Sequence, residues 1–231
     1  MKFLLAMLLW VSCPVYGASE CVVLLHGLAR VSNSMAELAQ KLERAGYHSV
    51  NINYPSRKYA IDVLADDAVS RGVSGCGDAS QIHFVTHSLG GILVRYYVAA
   101  NPIPNLGSVV MMGPPNQGSE LVNGLLHVPG FRFFGGPTGS ALGTGKGHVP
   151  QALGAVNFDL GVIAGNINVN PLGFFLLDGP NDSIVSVEST KVAGMNEHLI
   201  LPVMHTLMMR DNRVIDNVIH YLKTGSFIPQ A

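Results

Sequence analysis

Ile82-His83-Phe84-Val85-Thr86-His87-Ser88-Leu89-Gly90-Gly91 decides how this chain is read. Phe84 and Val85 are strand formers. Leu89, Ile92, Leu93 and Tyr96 then repeat at helical spacing until Asn101-Pro102 ends the run. Thr86, Gly90 and Gly91 are small enough to let a strand turn sharply into a helix, which lifts the Ser88 hydroxyl clear of a sheet edge. Those are the mechanics of a nucleophile elbow. Thr86 stands where such elbows usually carry glycine, and the competing reading is a buried strand followed by an ordinary glycine-rich turn.

Strand-like and helical stretches alternate on both sides of this run. Val22–Leu25 reads as a strand, and Ser34-Met35-Ala36-Glu37 as a capping box for a helix that ends at Gly46. Tyr47–Asn53 is the next strand and Ile61–Val69 the next helix. Beyond the serine come strands at Ser108–Met112, Phe158–Ala164 and Leu199–Val203. A last helix runs from an Asp211 cap to Gly225. This alternation predicts an α/β fold, a mostly parallel sheet of about six strands with helices on both faces. Ligands of such sheets bind beyond the carboxyl ends of the strands, where Ser88 lies. Gly124–Pro150 breaks the rhythm. It is rich in glycine and proline, reads as irregular, and carries Phe131, Phe133 and Phe134, which suits a lid over an apolar substrate or an aromatic plug for the core.

The 231 residues suit a single domain with a sizeable core; 48% are hydrophobic and only 13% charged, which excludes a disordered chain. A net charge of -1 without a basic block argues against nucleic acid as a partner. Residues 1–17 read as a cleavable signal peptide: Lys2, an apolar run from Phe3 to Val11, Pro14, and small residues from Gly17 to Ser19. An uncleaved anchor and a lipid-modified Cys13 are the alternatives; the apolar run is short for a membrane span. Residues 18–231 are then one periplasmic or secreted domain, expected to be monomeric. Export leaves Cys21 and Cys76 as an even pair, each just upstream of a strand, and an oxidising compartment favours a disulfide between them.

A serine needs a base to take its proton, and the base needs a carboxylate to orient it. His205, just past the last strand and before the final helix, is the expected base. His26 and His87 compete, and the remaining histidines read as structural or solvent-facing. Asp182 is the expected carboxylate, with turn residues Gly179-Pro180-Asn181 before it and Ile184-Val185 to anchor it. Asp178 is the more natural turn former and the runner-up. Oxyanion donors are expected from the amides of Leu89 and Leu28, the latter in the His26-Gly27 turn.

These features together resemble the α/β-hydrolases of the small bacterial lipase and esterase type. The resemblance rests on the His26-Gly27 turn, the Thr86–Gly90 elbow, the order Ser88, Asp182, His205, and the run Gly113-Pro114-Pro115-Asn116-Gln117-Gly118-Ser119. It spans about residues 20 to 224. It implies an ester hydrolase acting on a small-molecule or lipid ester through an acyl-enzyme, with no cofactor. Some larger lipases of this group carry calcium or zinc, but no Cys, His or carboxylate cluster here matches such a site. An acyltransferase using the same acyl-enzyme and a non-catalytic binding or export-assisting relative are the alternatives, and transient contact with a lipid interface fits the reading.

Overall fold

A computed structural model of the chain describes residues 20–125 and 131–230, without the side chains of residues 131–134. The expected leader, Cys13, His127 and the side chains of Phe131, Phe133 and Phe134 therefore lie outside the described residues. Strands β1 (Cys21–Leu25), β2 (His48–Ile52), β3 (Ile82–His87), β4 (Leu106–Met112), β5 (Leu160–Gly165) and β6 (Glu197–Leu201) form one sheet. Their order is β2-β1-β3-β4-β5-β6, and every neighbouring pair is parallel.

Alternating side chains along each central strand feed two apolar layers. Val23, Leu25, Phe84, Val109 and Met111 pack with α2 (Ile61–Gly75) and α3 (Leu89–Ala100) through Leu64, Ala68, Val69 and Leu93. Val22, Leu24, Val85, Val110 and Met112 pack on the other face with α1 (Ala36–Arg44) and α8 (Asn212–Thr224) through Leu38, Leu42, Val214, Ile215 and Val218. Strand β3 is buried along its whole length, its polar residues His83, Thr86 and His87 included.

Both ends of α8 follow the sequence. The Asp211 side chain accepts the Arg213 amide, and Gly225 closes the helix at φ 73°. The start of α1 differs. Ser34 sits inside a 3₁₀ turn, Ser32–Met35, and its hydroxyl donates back to the Val31 carbonyl at 2.8 Å instead of capping the helix. Helix α2 continues six residues past Val69, through Gly72 to Gly75. A Cβ at Gly72 would meet Val23 Cγ1 at 2.4 Å, so its absence lets the helix lie against β1.

The 124–150 segment is not the irregular stretch expected. Helix α4 (Glu120–Leu125) enters it, α5 (Phe131–Ser140) occupies its middle, and α6 (Val149–Ala152) closes it. Gly136 at φ 64° breaks α5, and Pro137 restarts it at a first helical turn, where no amide is needed. The glycine and proline content thus makes a kinked helix. Among the described residues, three more short segments follow: α7 (Pro171–Leu176) after β5, a 3₁₀ turn, Glu188–Thr190, before β6, and a 3₁₀ turn, His205–Arg210, after β6.

Cys21 and Cys76 are joined by a disulfide. Cys21 pairs in register with Ile82 of β3, and Cys76 ends the helix that leads into β3, so the bond ties neighbouring strands at the amino edge of the sheet. The closed loop spans 55 residues. Replacing both cysteines by serine should lower the unfolding free energy by about 4 kcal/mol on the chain-entropy account, read from the midpoint of urea unfolding.

Candidate active site

The carboxyl ends of the parallel strands converge on one rim, and β3 delivers Ser88 there. Ser88 has φ 53° and ψ −118°, a conformation rare for a residue with a side chain and worth about 1–3 kcal/mol of strain. It is held on both sides. Its amide donates to the Met112 carbonyl at 2.9 Å, and the Gly91 amide donates to its own carbonyl at 3.1 Å. Helix α3 starts at the next residue, so the Leu89 amide belongs to the first turn, whose N–H groups have no acceptor within the helix.

Leu28 lies on a turn at the end of β1. The Arg30 amide donates to the Gly27 carbonyl at 3.2 Å, and Ala29 takes φ 56° while its amide donates to Ser56 Oγ at 3.0 Å. His26 secures the base of this turn. Its ring stacks on Tyr54 at 4.0 Å, Nδ1 donates to the Gly27 carbonyl at 2.9 Å, and Nε2 accepts the Tyr54 amide at 3.3 Å. The Tyr54 hydroxyl closes the arrangement by donating to the His26 carbonyl. Both ring nitrogens of His26 are thereby committed to the turn.

Asp182 and His205 are brought together. His205 Nδ1 donates to Asp182 Oδ2 at 2.7 Å, and the His205 amide donates to the Asp182 carbonyl at 3.0 Å. Oδ1 of Asp182 accepts the amides of Ile184 at 3.0 Å and Val185 at 2.8 Å. The carboxyl group is fully buried, and both of its oxygens have hydrogen-bond partners, as a buried polar group requires. Asp178 is exposed. The end of β4 adjoins both the pair and the serine: a Cβ at Gly113 would lie 3.0 Å from His205 Nδ1 and 3.1 Å from Asp182 Oδ2, and the Met112 carbonyl beside it holds Ser88. His87 also reaches this pair, with Nε2 2.9 Å from the His205 carbonyl.

The other described histidines lie elsewhere. His48, His83 and His198 sit in strands, His148 precedes α6, and His220 lies in α8. Among the described residues, no group of three His, Cys, Asp or Glu side chains could hold a metal ion, and no helix is long and apolar enough to cross a membrane.

Sequence reasoning missed the brace under the Asp182 loop. Ser119 Oγ donates to the Ile184 carbonyl at 2.9 Å, and Glu120 Oε1 accepts the hydroxyls of Ser186 at 3.0 Å and Ser189 at 2.8 Å. Asn116 donates to the Thr190 carbonyl at 2.8 Å and accepts from Arg95 Nη1 at 3.1 Å. Arg95 is buried on α3, also bonds the carbonyls of Asn116 and Gly154, and is pulled down to about 10 by desolvation. The Gly113–Ser119 run marks the position of this brace, but its partners lie some 60 to 75 residues further along the chain.

Solved structures supply the comparison. The mature form of a Bacillus licheniformis lipase, BlEst2, superposes with a TM-score of 0.67 at 17% identity, over 94% of this chain and 96% of the lipase. The fold is that of the α/β-hydrolases. A metagenomic carboxyl esterase shares this α/β-hydrolase architecture at a TM-score of 0.68 and 16% identity, over 92% of this chain and 72% of its own. The phospholipase PlaB of Legionella pneumophila matches at 0.61 and 20%, over 75% of this chain and 46% of the phospholipase. No protein-family model and no curated protein sequence matches the chain.

Asn116→Ala removes a buried acceptor from Arg95 and a donor from Thr190. It should cost about 1–3 kcal/mol in urea unfolding. Acid should also destabilise the fold. Burial lowers the pKa values of His26, His83 and His87 from 6.5, so below that pH the unfolded chain binds more protons than the folded one. Their contribution is complete above pH 6.5 and is lost as the pH falls toward each folded-state value, at about 1.4 kcal/mol per pH unit for each histidine. Urea midpoints measured between pH 7.5 and 5 check this.

Proposed function

We propose that the protein is a serine hydrolase of carboxylic esters, an esterase or lipase, with Ser88 as nucleophile, His205 as base and Asp182 as its orienting carboxylate. The observation that carries the reading is Ser88 at φ 53° on the strand–helix junction, one strand end away from a buried Asp182–His205 pair at 2.7 Å. Because Nδ1 of His205 carries the proton given to Asp182, Nε2 is the nitrogen left to accept one. It takes the Ser88 proton as Oγ attacks the ester carbonyl, and returns it to the alkoxide as the ester C–O bond breaks. Water then repeats the sequence on the acyl-enzyme, releasing the acid and restoring Ser88.

The oxyanion formed in each half-reaction is assigned to the amides of Leu89 and Leu28. Leu89 adds the positive end of α3, and the Leu28 turn is held in place before substrate arrives by His26, Tyr54 and Ser56. Helix α5 passes over this turn. A Cβ at Gly139 would touch Leu28 Cδ2 at 3.4 Å, and Thr138 Oγ1 donates to the Tyr59 carbonyl at 2.5 Å. That position supports residues 124–150 as a cover over the site, with Phe131, Phe133 and Phe134 proposed to meet an apolar acyl group. The disulfide supports an exported protein.

The test is hydrolysis of p-nitrophenyl esters of increasing acyl length, with fluorophosphonate labelling, for wild type, Ser88→Ala and Asp182→Asn. Ser88→Ala should lose labelling and hydrolysis together, and Asp182→Asn should lower kcat by about 10⁴. A wild-type protein that neither labels nor hydrolyses any ester overturns the reading. Transfer of the acyl group to added glycerol in preference to water would make the enzyme an acyltransferase.

A further inference from the structure

The residue before Ser88 touches all three parts of the site. Strand β3 delivers His87 to the α8 side of the sheet, where its ring centroid lies 4.6 Å from that of His205. Its Nε2 is 2.9 Å from the backbone carbonyl of His205. A carbonyl only accepts, so Nε2 carries the proton. The Nδ1 edge of the ring lies against the proposed oxyanion turn: a Cβ at Gly27 would meet His87 Nδ1 at 2.7 Å and Ser88 Cβ at 3.2 Å. Gly27 is thus the residue that leaves room for this imidazole.

We propose that His87 is a positioning residue, a neutral imidazole whose Nε2–H bond to the His205 carbonyl sets the base against Ser88 and the Gly27 turn. The proposal rests on the Ser88–His205–Asp182 reading above. His205 is then fixed at three points: its amide on the Asp182 carbonyl, its Nδ1 on the Asp182 carboxylate, and its carbonyl on His87. The first two points belong to one loop and can move with it. The third belongs to the strand that carries the nucleophile, and it makes the separation of base and nucleophile a property of adjacent residues.

The choice of histidine follows from what the position needs. The ring is buried, and Nδ1 has no hydrogen-bond partner among the described residues. A protonated ring would leave a buried N–H unpaired there. Desolvation holds His87 well below 6.5, and the ionisable groups that bear on it, His205, Arg30 and His26, are all bases that add to the effect. The ring therefore stays uncharged while His205 cycles between imidazole and imidazolium, and adds no positive charge beside it.

His87→Leu fills the space without a donor, whereas His87→Gln offers an amide N–H at comparable reach. Both are compared with wild type in ester hydrolysis, in urea unfolding, and by ¹⁵N NMR of labelled histidine side chains. In wild type, His87 should be protonated at Nε2 and bare at Nδ1 through neutral pH, and the His205 Nδ1 proton should exchange slowly. His87→Leu should lower kcat by about 100-fold while KM moves less than about threefold, with faster exchange of the His205 proton. His87→Gln should recover kcat to within about fivefold and restore the slow exchange. The proposal is overturned if His87→Leu keeps kcat and the His205 signal, or if both variants lose them equally. Wild type with the expected NMR pattern but no ester hydrolysis overturns the assigned function and leaves the positioning role standing.

Discussion

Everything at the rim depends on holding Ser88 in a backbone conformation that an isolated chain would abandon. The fully buried β3 on one side and the packed α3 on the other leave the junction no freedom to relax. The strain is small beside the burial of either element, since each fully buried aliphatic or aromatic side chain contributes about 1.5–3 kcal/mol. Leu25, Phe84, Val85 and Leu93, all shielded from solvent, are enough to hold the turn. The position of Ser88 is thus set by the packed core on either side of it.

Legibility followed sequence distance. The Ser88 junction, both caps of α8 and the parallel α/β arrangement are written in runs of about ten residues, where periodicity and turn chemistry act locally. The Asp182 loop was also readable, because Gly179-Pro180 and Ile184-Val185 bracket it and those same apolar residues supply the amides that bind Oδ1. Helix α2 runs beyond Val69 because Gly72 lets it lie against Val23, a contact that the local sequence does not carry. Ser34 failed as a cap for a related reason, since a 3₁₀ turn uses its hydroxyl first. The kinked α5 combines the residues of a loop with the backbone of two short helices.

The polar groups behind the rim were the least legible and carry much of its order. Arg95 satisfies the carbonyls of Asn116 and Gly154, Asn116 holds Thr190, and Ser119 and Glu120 hold Ile184, Ser186 and Ser189. Each residue alone is unremarkable in sequence. Buried polar networks of this kind specify one arrangement, because any slip leaves desolvated groups unpaired. The loop bearing Asp182 is therefore positioned from α3 and from the turn after β4, the same elements that frame Ser88.

The Cys21–Cys76 bond lies at the opposite edge of the sheet from Ser88, His205 and Asp182. The molecule is consequently stapled by a covalent bond at the edge away from the rim, while the rim is held by the packed core and the buried polar network. Covalent reinforcement acts on the frame of the sheet and leaves the Ser88, Asp182 and His205 turns to be held by packing and hydrogen bonds alone.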